Sequence, residues 1–184
     1  MTLNLPTALT LLRIAMIPVF AGAFLLPWRW AGPASALLFA LAAVTDWLDG
    51  YLARRLNQTS RFGAFLDPVA DKLMVVTALV LLVNSNPNVW LAIAAAIIIG
   101  REIAISALRE WMAEMGDSGR VKVSQVGKVK TTLQMIALLF LLYREPILGL
   151  PTQTIGLWLL AAAAVLTLWS MCHYLYAAWP AMRQ

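Results

Sequence analysis

Four aspartates, Asp46, Asp49, Asp67 and Asp71, stand within one short stretch, DWLDGYLARRLNQTSRFGAFLDPVAD (46–71), whose flanks are strongly apolar. On a helix, Asp46, Asp49, Gly50 and Ala53 share a face at spacings of three, four and seven residues. Gly63, Asp67 and Asp71 share another at spacings of four and eight. The polar run between them, near Arg55 to Arg61, is long enough only to turn the chain back, so the two carboxylate faces are expected to meet in an antiparallel pair. Carboxylates in apolar sequence are costly, and a bound cation would offset them. An all-aspartate set with no His or Cys beside it favours hard ions, Mg²⁺ or Mn²⁺ rather than Zn²⁺. Four carboxylates can hold two such ions, and a two-metal site suits displacement at phosphorus. Gly50, Ala53 and Gly63 either let helices pack closely or leave room for a flat group such as a nucleobase.

These residues need elements to position them, and composition says which. The 184 residues are 61% hydrophobic and 12% charged, with a mean hydropathy of +0.77. A soluble domain would carry about twice that charged fraction. The expectation is an all-α, polytopic membrane protein forming a single domain over 1–184. Six transmembrane helices are predicted at 5–26, 33–54, 62–84, 89–114, 126–143 and 152–178, separated by segments rich in Pro, Gly, Asn or charge. Asn4 or Thr7 could cap the first, and Pro6 suits its opening turn. Thr7, Thr10 and Arg13 fall near one side, so a short N-terminal interfacial helix is expected to lead into it. No cleavable signal peptide is read there: an arginine interrupts the apolar run and no basic segment precedes it.

Basic residues set the expected orientation. The segments 27–33, 84–88 and 144–151 hold only Arg29 and Arg144, whereas Arg54, Arg55, Arg61, Arg109, Arg120, Lys122, Lys128, Lys130 and Arg183 fall on the other side. Both termini and the aspartate hairpin therefore face the cytoplasm. Trp28, Trp30, Trp90 and Trp179 lie near helix ends, as interfacial anchors would. At 1.5 Å per residue, Arg101 lies ~18 Å along helix four and Arg109 ~30 Å. With Lys128, Lys130 and the N-terminal segment they are expected to converge on the cytoplasmic third that holds the aspartates. The net charge of +5 suits anionic lipid or phosphate more than nucleic acid. Cys172, the one cysteine, excludes an intramolecular disulfide and reads as packing, as does His173 beside it unless it meets an interface.

The pattern Asp46-x-x-Asp49-Gly50-x-x-Ala53-Arg54, eight residues, Gly63-x-x-x-Asp67-x-x-x-Asp71 resembles the signature of the CDP-alcohol phosphotransferase family at every position. NLPTALTLLRIAMIP, GREIAISALREWMAE and GKVKTTLQMIA resemble its bacterial branch that makes phosphatidylglycerophosphate. The resemblance implies a six-helix membrane enzyme, commonly a homodimer. It would move a phosphatidyl group from CDP-diacylglycerol to the primary hydroxyl of sn-glycerol 3-phosphate and release CMP, among the lipids of a bacterial inner membrane. Carried over by position, Asp46, Asp49 and Asp67 would bind the divalent ions. Asp71 would contribute to the second ion and act as general base. Asp49, Gly50, Ala53, Arg54 and Gly63 would take the cytidine and its phosphates. An acceptor that is a phosphate dianion needs two or more cations, and Arg101, Arg109, Lys128 and Lys130 are the candidates. Their alternative is positive-inside topology, or pairing with Glu102, Glu110 and Glu114. Arg120 and Lys122 read as loop charge.

Two rivals are weighed. Within the family, serine or inositol phosphate could replace the acceptor, although the basic residues favour a phosphorylated one. From another class, intramembrane aspartates also line ion paths. A transporter would need polar residues through the membrane depth or broken helices in related halves, and neither is visible.

Overall fold

The computed structural model describes residues 4–55, 61–114, 125–147 and 149–178, and all of its named elements are helices. They are α1 (Leu5–Leu25), α2 (Ala31–Arg55), α3 (Arg61–Ser85), α4 (Val89–Glu114), α5 (Gln125–Tyr143) and α6 (Thr152–Ala178). Each bound falls within two residues of the sequence expectation. The breakers explain this. Pro6 starts α1 with Asn4 at the cap position, and Leu26 ends it in an extended conformation. Asn88 Oδ1 accepts from the backbone N–H of Trp90 at 2.9 Å and opens α4. Asn4, one of the two cap candidates of α1, occupies the cap position without a side-chain bond.

Among the described residues, four helices are long and apolar enough to cross a membrane: Leu5–Leu25, Ala31–Leu52, Val89–Met112 and Thr152–Tyr176. The chain is accordingly a membrane protein. The apolar run of α3 also carries Asp67, Asp71 and Lys72, and among the described side chains of α5 a shorter apolar stretch runs over Val129–Tyr143.

The chain forms two compact units, residues 1–85 with 139–153, and residues 86–138 with 154–184. In the first, α1 packs along both α2 and α3, while α2 and α3 meet each other only sparsely. Phe20, Phe24 and Phe39 form a buried aromatic cluster, with Phe20 6.2 Å from Phe39 between ring centroids. Gly32 lets α2 pass against the end of α5: a Cβ there would stand 2.4 Å from the backbone oxygen of Tyr143. Beyond Tyr143, Arg144 turns at φ 66° and lays its guanidinium 4.0 Å from the Phe24 ring centroid. In the second unit Ile98, Ile105, Met112, Leu138, Leu160 and Ala163 are buried.

Candidate active site

The aspartates are gathered by α1: the sequence places the N-terminal segment in the same third of the bundle, and the contacts show that it holds the acids directly. Its polar side chains recur every three residues, and all are buried: Thr7 is 3% exposed, Thr10 1% and Arg13 1%. An arginine this enclosed needs anions around it. Arg13 Nη1 donates to Asp46 Oδ1 at 2.6 Å, and Nη2 donates to Asp49 Oδ2. One turn earlier, Thr10 Oγ1 donates to Asp67 Oδ1 at 2.8 Å and lies 3.5 Å from Asp49 Oδ2. A hydroxyl carries a single proton, so the shorter contact is the bond. Three of the four aspartates, two from α2 and one from α3, are therefore tied to one face of α1. The two carboxylate faces meet as expected, Asp49 of α2 and Asp67 of α3 both lying against Thr10, and α1 stands as the common partner of both helices. The polar side that suggested an interfacial helix faces these carboxylates.

The helices expose these acids unequally. Asp49 is buried at 1%, whereas the Asp46 side chain keeps 44% of its surface open. Asp67 and Asp71 are both half-buried on α3, one turn apart. Gly50 and Gly63 are partly exposed, as a surface offered to a ligand would be. The side chains of Ala53 and Arg54 lie outside the described residues. On the opposite side of α2, Trp47, 67% exposed, stacks on Tyr51 at 5.8 Å, and Arg55 donates to the Tyr51 hydroxyl at 3.0 Å. Outward aromatic and inward acid thus alternate along a single helix.

Do these residues suit a divalent cation? Among the described residues, no three acid, histidine or cysteine side chains are grouped closely enough to chelate one ion as they stand. The donor chemistry nevertheless fits: every acid here offers hard oxygen. Asp49 Oδ1 is buried with no hydrogen-bond partner among the described residues, a vacancy of the kind a metal ion satisfies. A cation, the Arg13 guanidinium, already lies against Asp46 and Asp49.

The basic candidates belong to the second unit. Glu102 Oε1 accepts from Arg101 Nη1 at 2.9 Å and from Lys130 Nζ at 2.9 Å, so one carboxylate holds both cations. Arg101 Nη2 donates to Ser170 Oγ of α6 at 3.2 Å, and Arg101 Nε is buried without a partner among the described residues. The guanidiniums of Arg101 and Arg109 lie 5.6 Å and 5.8 Å from the Tyr174 ring centroid. Arg101, Arg109 and Lys130 are thus linked through Glu102 and Tyr174. Pairing with Glu102, weighed earlier as the alternative for these cations, is observed for two of them. The Lys128 side chain, Arg120 and Lys122 lie outside the described residues. Cys172 and His173 are both exposed, so neither is part of the buried core among the described residues.

Arg13 and Thr10 are the residues that sequence reasoning missed. A signal was available: an arginine in an apolar run, in phase with two threonines, needs acidic partners.

The profile of the family described as CDP-alcohol phosphatidyltransferase matches residues 3–169. Curated relatives match nearly the whole chain. A protein of Sodalis glossinidius is 59% identical over 178 residues, covering 97% of this chain and 96% of its own. Proteins of Salmonella typhimurium and Shigella flexneri are each 56% identical over the same shares. All three carry the name CDP-diacylglycerol--glycerol-3-phosphate 3-phosphatidyltransferase.

Proposed function

We propose that this chain, which belongs to the CDP-alcohol phosphatidyltransferase family, transfers a phosphatidyl group from CDP-diacylglycerol to sn-glycerol 3-phosphate, giving phosphatidylglycerophosphate and CMP. The observation that carries this reading is the junction of Asp46, Asp49 and Asp67 on the buried face of α1. The names of the full-length relatives supply the two substrates. As one family domain, the chain acts in acidic phospholipid synthesis.

In the reaction, the primary hydroxyl of the acceptor attacks the phosphorus that bears the diacylglycerol. The bond from that phosphorus to the bridging oxygen breaks, and CMP leaves with the electron pair. Asp46, Asp49, Asp67 and Asp71 would hold the two Mg²⁺ or Mn²⁺ ions. When bound, the ions neutralise pyrophosphate charge and acidify the hydroxyl. Asp71 would take the proton of the attacking hydroxyl as general base. Asp49, Gly50, Ala53, Arg54 and Gly63 receive the cytidine and its phosphates. Arg101, Arg109, Lys128 and Lys130 provide the charge for the acceptor phosphate, with Glu102 keeping Arg101 and Lys130 oriented until it binds. Holding both substrates in line supplies several kcal/mol of the barrier, of order 7 or more in favourable cases.

The surrounding reading is a homodimer in a bacterial inner membrane. It has six spans, the first turn of α1 at the membrane surface, and the termini and site on the cytoplasmic side. The apolar helices and the basic-residue bias support the membrane placement and its orientation. The test supplies purified protein with CDP-diacylglycerol, labelled glycerol 3-phosphate and Mg²⁺ or Mn²⁺. CMP release and labelled lipid are expected, and chelation should abolish both. Absence of metal-dependent CMP release overturns the reading. Competition by serine or inositol phosphate reports on the acceptor.

A further inference from the structure

We infer that Arg13, with Thr10, is a positioning residue of the site: a built-in counter-ion on α1 that holds Asp46 and Asp49 together before any divalent cation arrives. The assignment rests on the proposal that these aspartates bind divalent ions. Arg13 lies outside the aspartate stretch, 33 residues before Asp46. Its two Nη groups divide between two carboxylates, a fork that fixes their spacing. It takes Asp49 at Oδ2 only, and Oδ1 of the same carboxylate is left buried without a partner among the described residues. Thr10 does the same service for Asp67, through Oδ1. One helix face therefore aligns acids from two others and leaves an oxygen over for a metal.

A site without this cation would place the negative charges of Asp46 and Asp49 near each other with nothing to offset them. Repulsion would then drive the unloaded site apart, and each binding event would have to reassemble it. With Arg13 present, the unloaded geometry is retained. The counter-ion matters most when metal is absent and less once a divalent ion takes over the neutralisation. That asymmetry separates a counter-ion from a residue that only anchors α1.

The experiment melts the purified full-length protein in detergent, with EDTA or with Mn²⁺, for the wild type, Arg13→Met, Arg13→Lys and Arg13→Met/Asp49→Asn. Arg13→Met should lower Tm in EDTA by roughly 5 °C or more, since it strands a buried carboxylate. The loss should be at most half as large in saturating Mn²⁺, so the metal-induced rise in Tm becomes larger than in the wild type. Arg13→Lys, which keeps the charge but not the fork, should fall between. The double variant should regain most of the loss in EDTA, because the stranded charge is gone. Equal losses with and without Mn²⁺, or no recovery in the double variant, overturn the inference. If Arg13→Met does not fold, the same comparison is read from Arg13→Lys: a loss equal in EDTA and Mn²⁺ overturns it. A wild type that gains no Tm from Mn²⁺ speaks against the metal reading itself, and the recovery in EDTA then decides the counter-ion assignment alone.

Discussion

Asp49 is 1% exposed while the Asp46 side chain is 44% exposed, and both share Arg13, so losing their charges should have unequal consequences. Asp49→Ala strands part of a buried guanidinium and should cost about 3–5 kcal/mol of stability. Asp46→Ala removes a half-open contact and should cost about 1 kcal/mol or less. Thermal melting in detergent orders the two. Asp71→Asn should lower kcat roughly 10²- to 10⁴-fold, the usual worth of a general base, while CMP binding persists. Near-normal turnover would remove Asp71 from that role. Arg101→Ala should raise the acceptor KM about 10-fold or more and leave the donor KM nearly unchanged, which steady-state kinetics resolves. The aspartates are legible in the sequence because acids in apolar runs are anomalous one residue at a time. Arg13 is as anomalous, yet what it touches lies 33 and 36 residues away, and no local spacing encodes that.

Helix boundaries are legible for a related reason: Pro, Gly and Asn act on the backbone beside them, as Pro6 and Asn88 do. The faces of the helices are not. In α2, Phe39 is fully buried and Leu37 is 60% exposed, although both are apolar. Lipid is as apolar as a protein core, so hydrophobicity cannot mark the side that packs. The place of α1 beside both α2 and α3 was hidden for that reason. Packing leaves a clearer trace at Gly32. A methyl group there would meet the Tyr143 carbonyl, and backbone yields less readily than a side-chain tip. Gly32→Ala should therefore destabilise by about 1–3 kcal/mol, and Gly22→Ala, where no atom lies within 4 Å, by far less. Melting the two variants side by side checks the contrast.

For the whole molecule, the proposed orientation puts the Ser85 end of α3 outside the cell and the Glu114 end of α4 inside. With Cys172 replaced by alanine, single cysteines at these two exposed positions should label in opposite compartments. Ser85→Cys should react with an impermeant maleimide on intact spheroplasts, and Glu114→Cys only in inverted vesicles. The bond from Arg13 to residues of the following helix also bears on how the protein is made. During synthesis α1 leaves the ribosome before α2, carrying a cation about 12 Å along its length, at 1.5 Å per residue. An unneutralised arginine at mid-helix costs roughly 2.5–3.5 kcal/mol to insert. The translocon should therefore retain α1 until Asp46 and Asp49 emerge, and release the two segments into lipid as a pair.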